Sequence, residues 1–156
     1  IYVMPMQGPR EPLPFVATPF VERRARLSPD GRWVAFESNQ SGRHEVYVRP
    51  FPGGPGQWQV SSGGGTTVRW RGDGRELYYL APGGRLMVVP IRSGRDFAPA
   101  TPEPYFDVRL EPERGEFWYE ISRDGRRVLI SRVLRNVSPL VLLSSWLPAS
   151  ERTPDR

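Results

Sequence analysis

Three aspartates recur at one fixed place in this sequence, each ahead of Gly-Arg: Asp30-Gly31-Arg32, Asp73-Gly74-Arg75 and Asp124-Gly125-Arg126. Carboxylate oxygens are the ligands that hard cations such as Ca²⁺ require, so a ring of three would be a cation site. They stand 43 and 51 residues apart, one per repeat, which separates them too widely to share an ion. A lone Asp-Gly has a simpler explanation. Gly reaches positive φ without steric cost, and the Asp carboxylate bonds nearby backbone amides, so the pair marks a turn. The arginines that follow, Arg32, Arg75 and Arg126, are expected to be exposed where the next strand begins.

The other reactive side chains are few. The sole histidine, His44, lies in a polar turn ahead of a β-type run, and the chain has no cysteine. One imidazole without thiolates makes no zinc site unless carboxylates join it, and a hydrolytic triad would also need a placed serine, so His44 reads as a solvated turn residue. Gly63-Gly64-Gly65-Thr66-Thr67 has the composition of a phosphate cradle, but a P-loop needs its lysine and all 22 basic residues are arginine. These glycines read as a link between strands. There is no G-x-S-x-G elbow, no His-Arg-Asp and no Asp-Phe-Gly, so neither the α/β-hydrolase nor the kinase signature is present. No residue qualifies as catalytic, cofactor-binding or metal-ligating, and the chain is expected not to be an enzyme.

Those residues must be held by an all-β framework. Gly and Pro number 16 and 18 and fall in clusters between short apolar runs, as they do when many turns join many strands. Hydrophobic residues at 38% and aromatics at 12% supply a core. The formal charge is +5, but the arginines are scattered among acids rather than gathered on a stripe, which argues against nucleic acid as a partner. No apolar run reaches the roughly 18 residues of a membrane-spanning helix. The absence of cysteine leaves the compartment open.

Around each Asp-Gly the same order of elements repeats. A large apolar residue (Leu27, Trp70, Ile121) precedes the turn, and a β-rich second strand follows it at 33–38, 76–81 and 127–132. Third strands are expected at 45–49 and 86–91, and weaker fourth strands at 58–61 and 105–108. Asp-to-Asp spacings of this size suit the roughly 40–50 residues of one four-stranded propeller blade. The chain then opens on a third and fourth strand (1–4 and 13–17) and closes on a third strand at 140–146. Runs such as Trp33-Val34-Ala35-Phe36 and Leu77-Tyr78-Tyr79-Leu80 are apolar on both faces, as strands between two neighbouring sheets are. No helical period stands out; the best stretch, 107–116, is broken by Pro112 and Gly115. Of the tryptophans Trp33, Trp58, Trp70, Trp118 and Trp146, most are expected in the core between blades. A ring at a tunnel mouth would stack a ligand.

Ser28-Pro29-Asp30-Gly31-Arg32-Trp33-Val34-Ala35-Phe36, followed by Glu45-Val46-Tyr47-Val48-Arg49-Pro50-Phe51, resembles the repeat of the TolB-type β-propeller family. The second copy departs from that pattern with Arg71-Gly72 in place of Ser-Pro, and the third with Arg123 in place of Pro. The stretch 19–91 resembles the propeller region downstream of the kinase domain in bacterial transmembrane serine/threonine kinases. The resemblance implies a WD40-like partial β-propeller of about three four-stranded antiparallel blades over 1–148. Its divisions are the end of a preceding blade (1–18), blades at 24–61 and 66–108, an incomplete blade at 117–146, and a disordered tail at 149–156. It further implies a non-catalytic binding or sensing module for a protein or small ligand at the propeller face, needing no cofactor. The module would be a fragment of a larger signalling protein, outside the cytoplasm. The alternative is the propeller part of a prolyl-oligopeptidase-like hydrolase whose catalytic domain lies elsewhere. Propellers close with at least about four blades, so three blades are expected to self-associate through their open faces, as in a six-bladed ring of two chains, or to be unstable.

Overall fold

The computed structural model describes residues 1–92, 96–107 and 119–130. Every regular element among them is a β-strand, and every strand pairing is antiparallel. The strands form four sheets, none closed on itself. β1 (Tyr2–Val3) pairs with β2 (Leu13–Pro14). β3 (Glu22–Leu27), β4 (Trp33–Ser38), β5 (Glu45–Pro50) and β6 (Trp58–Gln59) run as a four-stranded meander. β7 (Thr66–Trp70), β8 (Glu76–Ala81) and β9 (Arg85–Arg92) begin a second meander, with β10 (Ala98–Pro99) and β11 (Glu103–Asp107) both on the far side of β9. β12 (Tyr119–Ile121) pairs with β13 (Val128–Ile130). The third strand expected at 140–146, and the tail at 149–156, lie outside the described residues.

The fourth strand of the second meander differs from expectation. A single strand at 105–108 is replaced by β11 at Glu103–Asp107, against Arg85 to Val88, with β10 ahead of it against Ile91 and Arg92. The reason is the length of β9, eight residues against six for β5. Its extra backbone takes a second partner, and the prolines at 99, 102 and 104 keep the two partners from merging into one regular strand.

All three Asp-Gly turns share one backbone. The amide of Gly31 donates to Ser28 O at 2.9 Å, Gly74 to Arg71 O at 2.9 Å and Gly125 to Ser122 O at 2.8 Å. Each glycine has φ of about +70° (71°, 73° and 70°), where a side chain would be strained. Asp30 Oδ1 accepts from the Ser28 hydroxyl at 2.6 Å and the Arg32 amide at 3.1 Å. Asp124 repeats this with the Ser122 hydroxyl at 2.6 Å and the Arg126 amide at 3.0 Å. Asp73 has the Arg75 amide at 3.0 Å but no serine. Arg71 replaces it, reaching Glu76 at 3.1 Å and the backbone oxygen of Asp124, in the next turn, at 3.0 Å.

Alternate side chains of each central strand enter successive cores, which explains why the runs are apolar on both faces. In β4, Val34 and Phe36 join Val16 and Tyr47 towards the first sheet, whereas Ala35 packs with Val46, Val68, Leu77 and Tyr79 towards the third. In β8, Leu77 and Tyr79 face that same core, and Tyr78 and Leu80 face Tyr119 and Ile121 of the last sheet. Trp33, Trp58 and Trp70 surround Phe97 at centroid distances of 5.3, 5.5 and 6.3 Å. Three tryptophans thus lie between sheets, as expected; Trp118 and Trp146 fall outside the described residues.

Candidate functional site

The first strands of the last three sheets adjoin one another. β7 contacts β3, and β12 contacts β7. Residues four before each turn aspartate occupy equivalent positions on these strands: Arg26, Arg69 and Glu120. The guanidinium of Arg69 is buried, with 5% of its side chain exposed, and donates through Nε to Glu120 Oε2 at 3.1 Å. Its Nη1 donates to Val68 O at 2.9 Å, and its charge lies over the Tyr119 ring at 5.6 Å. Arg26 mirrors the backbone contact, with Nη1 on Ala25 O at 3.2 Å. Burial lowers the Arg26 pKa, and the positive charge of Arg69 adds to the effect.

Two strained backbone positions set this arrangement. β3 and β7 each carry a bulge at the same place, between Arg23 and Arg26 and between Thr66 and Arg69. Within the bulges Arg24 and Thr67 have φ of 54° and 56°, a region that β-branched residues in particular avoid. The bulge in β7 turns the Thr67 amide out of its own ladder, and it donates to Glu37 Oε1 at 2.5 Å. Glu37 is fully buried in β4 and also accepts from Arg23 Nε at 2.9 Å and Arg24 Nη1 at 3.2 Å. Bulges re-aim side chains and are stabilised by surroundings that over-determine them. Here the over-determining group is a buried carboxylate on the neighbouring sheet.

Among the described residues, the charged groups brought together are therefore Arg23, Arg24, Arg26 and Arg69 with Glu37 and Glu120, contributed by three sheets. Tyr119, 4% exposed, ends in a hydroxyl with no hydrogen-bond partner among the described residues. Burial raises its pKa, while Arg69, Glu120 and Glu37 all act on it electrostatically.

The turn residues that the sequence singles out lie elsewhere. Asp30, Asp73 and Asp124 are exposed in their own turns, as are Arg32, Arg75 and Arg126. Among the described residues no group of three His, Cys, Asp or Glu side chains could hold a metal ion, and no helix is long and apolar enough to cross a membrane. His44 departs from the solvated turn expected of it. It is half-buried, and its Nδ1 is enclosed without a partner among the described residues. The glycines do form the link from β6 to β7, and two of their amides are already engaged: Gly64 N donates to the buried Glu45 Oε1 at 2.8 Å and Gly65 N to His44 O at 2.9 Å. The open cleft beside them, about 520 Å³, is lined by His44, Gly63 to Thr66 and Leu80 to Pro82. Engaged amides cannot cradle a phosphate there.

The cluster on the first strands was missed in the sequence because its members have different chemistries in different repeats. The signal that finds it is the constant offset: each member stands four residues before an aspartate already marked by the turn. No family model matches the chain, and no curated protein does.

Proposed function

We propose that this chain is a non-catalytic binding module of β-propeller type, comprising about three blades, whose ligand face is the inner ends of β3, β7 and β12. The single observation that carries the reading is the equivalence of Arg26, Arg69 and Glu120 on three adjoining first strands. Antiparallel meanders, one of four strands and one of five, whose first strands adjoin and whose turns are linked by contacts such as Arg71 to Asp124 O, support a radial repetition of blades. A few polar side chains converging from several units beside an aromatic ring, as Arg26, Arg69 and Glu120 do beside Tyr119, are the groups that fix a ligand's orientation. As the resemblance implies, the module belongs to a larger signalling polypeptide, and its partner is a protein or small ligand.

The test is fragment mapping by amide chemical shifts on the ¹⁵N-labelled 156-residue chain, with neutral and charged fragments together. The reading expects the perturbations to gather on β3, β7 and β12. Perturbations scattered over the surface, or gathered at the outer strands, would refute it.

A further inference from the structure

We propose that Arg26 and Arg69 form a recognition site for a carboxylate, and that the Glu120 carboxylate is the stand-in that a ligand displaces. This rests on the binding-module reading and adds the chemical class of its ligand.

The geometry carries the inference in three steps. First, Arg69 is held in place before any ligand arrives: it is buried, tied to Val68 O and laid over the Tyr119 ring. A guanidinium fixed in this way presents donors in a planar fork that matches carboxylate geometry. Secondly, the group that now occupies it is loosely held. The Glu120 side chain is 63% exposed against 5% for Arg69, so water already solvates much of the carboxylate that Arg69 holds. An incoming carboxylate has little to displace.

Thirdly, the site has unspent binding capacity. Arg26 is half-buried and donates to Ala25 O; among the described residues no acid stands within ion-pair distance of it, and Glu120 and Glu37 act on its charge only from farther off. It lies close enough to Arg69 for the two charges to oppose each other, which an anion between them would relieve. The Tyr119 ring lies under Arg69, and its hydroxyl is the one enclosed side-chain oxygen without a hydrogen-bond partner among the described residues. Buried polar groups seldom stay unpaired unless they serve a ligand or water.

Glu37 cannot play the part given to Glu120. It is fully buried and already accepts from Arg23, Arg24 and the Thr67 amide, and its charge reaches Arg26 only at longer range. The carboxylate could be a free small acid or a peptide C-terminus.

The experiment is a chemical-shift titration of the full chain at constant ionic strength with acetate, with Ala-Ala-Ala, and with the same tripeptide amidated at its C-terminus. Saturable shifts are expected at β3, β7 and β12 with acetate or the free tripeptide, and none with the amide. Acetate alone would identify a small acid, and the free tripeptide binding more tightly than acetate would identify a chain terminus. Arg26→Gln and Arg69→Gln should each weaken binding about tenfold, a loss of ~1.4 kcal/mol. Glu120→Gln should strengthen it about threefold, the worth of an exposed competitor. Arg75→Gln removes the same charge from an exposed turn and should change nothing. Because Arg69 is buried, the half-buried Arg26→Gln decides the matter if Arg69→Gln unfolds. Equal weakening by Arg75→Gln, weakening by Glu120→Gln, or no carboxylate binding at all would overturn the proposal. Neutral fragments gathering on these strands without carboxylates would overturn the carboxylate site and leave the module standing.

Discussion

The Thr67 amide donates to Glu37 Oε1 across the gap between two sheets, 2.5 Å from nitrogen to oxygen. The contact joins residues 30 positions apart and holds the Thr67 bulge with its φ of 56°. It also fixes how the second meander sits against the first, because Glu37 holds Arg23 and Arg24 of its own sheet with the same carboxylate.

Glu37→Gln keeps the shape of the side chain and removes its charge. Hydrogen bonds to a charged group are each worth about 1.5–3 kcal/mol, so the variant should lose roughly that much in urea unfolding. Its amide exchange at Thr67 should also accelerate. An unchanged midpoint would mean that the carboxylate does not tie the sheets together.

Gly72 and Gly31 should respond differently to alanine. A Cβ on Gly72 would stand 2.7 Å from Arg123 O and 2.8 Å from Arg123 Cα, both backbone atoms, whereas one on Gly31 would meet nothing. Gly31→Ala should therefore cost only the strain of φ +71°, about 1–2 kcal/mol. Gly72→Ala must push two turns apart, at about 1–3 kcal/mol of overpacking, and should shift the amide resonances of residues 122–125. A change confined to the mutated turn would contradict the contact.

Phe97→Ala empties the space among Trp33, Trp58 and Trp70. Phe97 is 4% exposed, and removing a buried phenyl ring costs about 3–5 kcal/mol. The thermal midpoint should fall and tryptophan emission should move to longer wavelength. Unaltered emission would show that these rings do not depend on Phe97 for their burial.

Two turn carboxylates set an acid dependence. Burial alone would raise the Asp30 pKa, but the Ser28 hydroxyl, the Arg32 amide and the Arg32 charge outweigh it and hold the carboxyl below its usual value. The Ser122 hydroxyl, followed by the Arg126 amide, does the same for Asp124. A folded pKa below the unfolded one, about 3.9 for Asp, contributes stability that is present above the unfolded value. That stability is lost as pH falls through the folded value. Unfolding measured from pH 6 down to pH 2 should therefore show a shallower acid loss in the double variant Asp30→Asn, Asp124→Asn. Ser28→Ala and Ser122→Ala should each raise the corresponding carboxyl midpoint seen by ¹³C resonances. Equal acid slopes would remove the turns from the cause.

Strands and turns were legible because their signals are local. Asp-Gly specifies its turn through one carboxylate and one positive φ, and β4 and β8 announce burial on both faces by being apolar throughout. The bulges at Arg24 and Thr67 were not legible, since neither residue is one that favours positive φ; Glu37, on another sheet, secures the Thr67 bulge. Phe97 was passed over for a similar reason: it lies between strands, and only the approach of two sheets makes it core. In the sequence Gly72 stood only as a departure from the Ser-Pro of the family repeat. Its bareness is what lets Arg123 of the next turn approach.

The cysteine-free sequence permits one direct measurement of how the repeats are arranged. Spin labels on cysteines placed pairwise at Arg32, Arg75 and Arg126, equivalent exposed positions in successive turns, give three distances by pulsed dipolar spectroscopy. Blades arranged about a common axis predict similar distances for 32 to 75 and 75 to 126, and a 32 to 126 distance clearly shorter than their sum. A 32 to 126 distance equal to that sum would mean a straight stack of sheets, and would contradict the propeller-type module with its shared inner face.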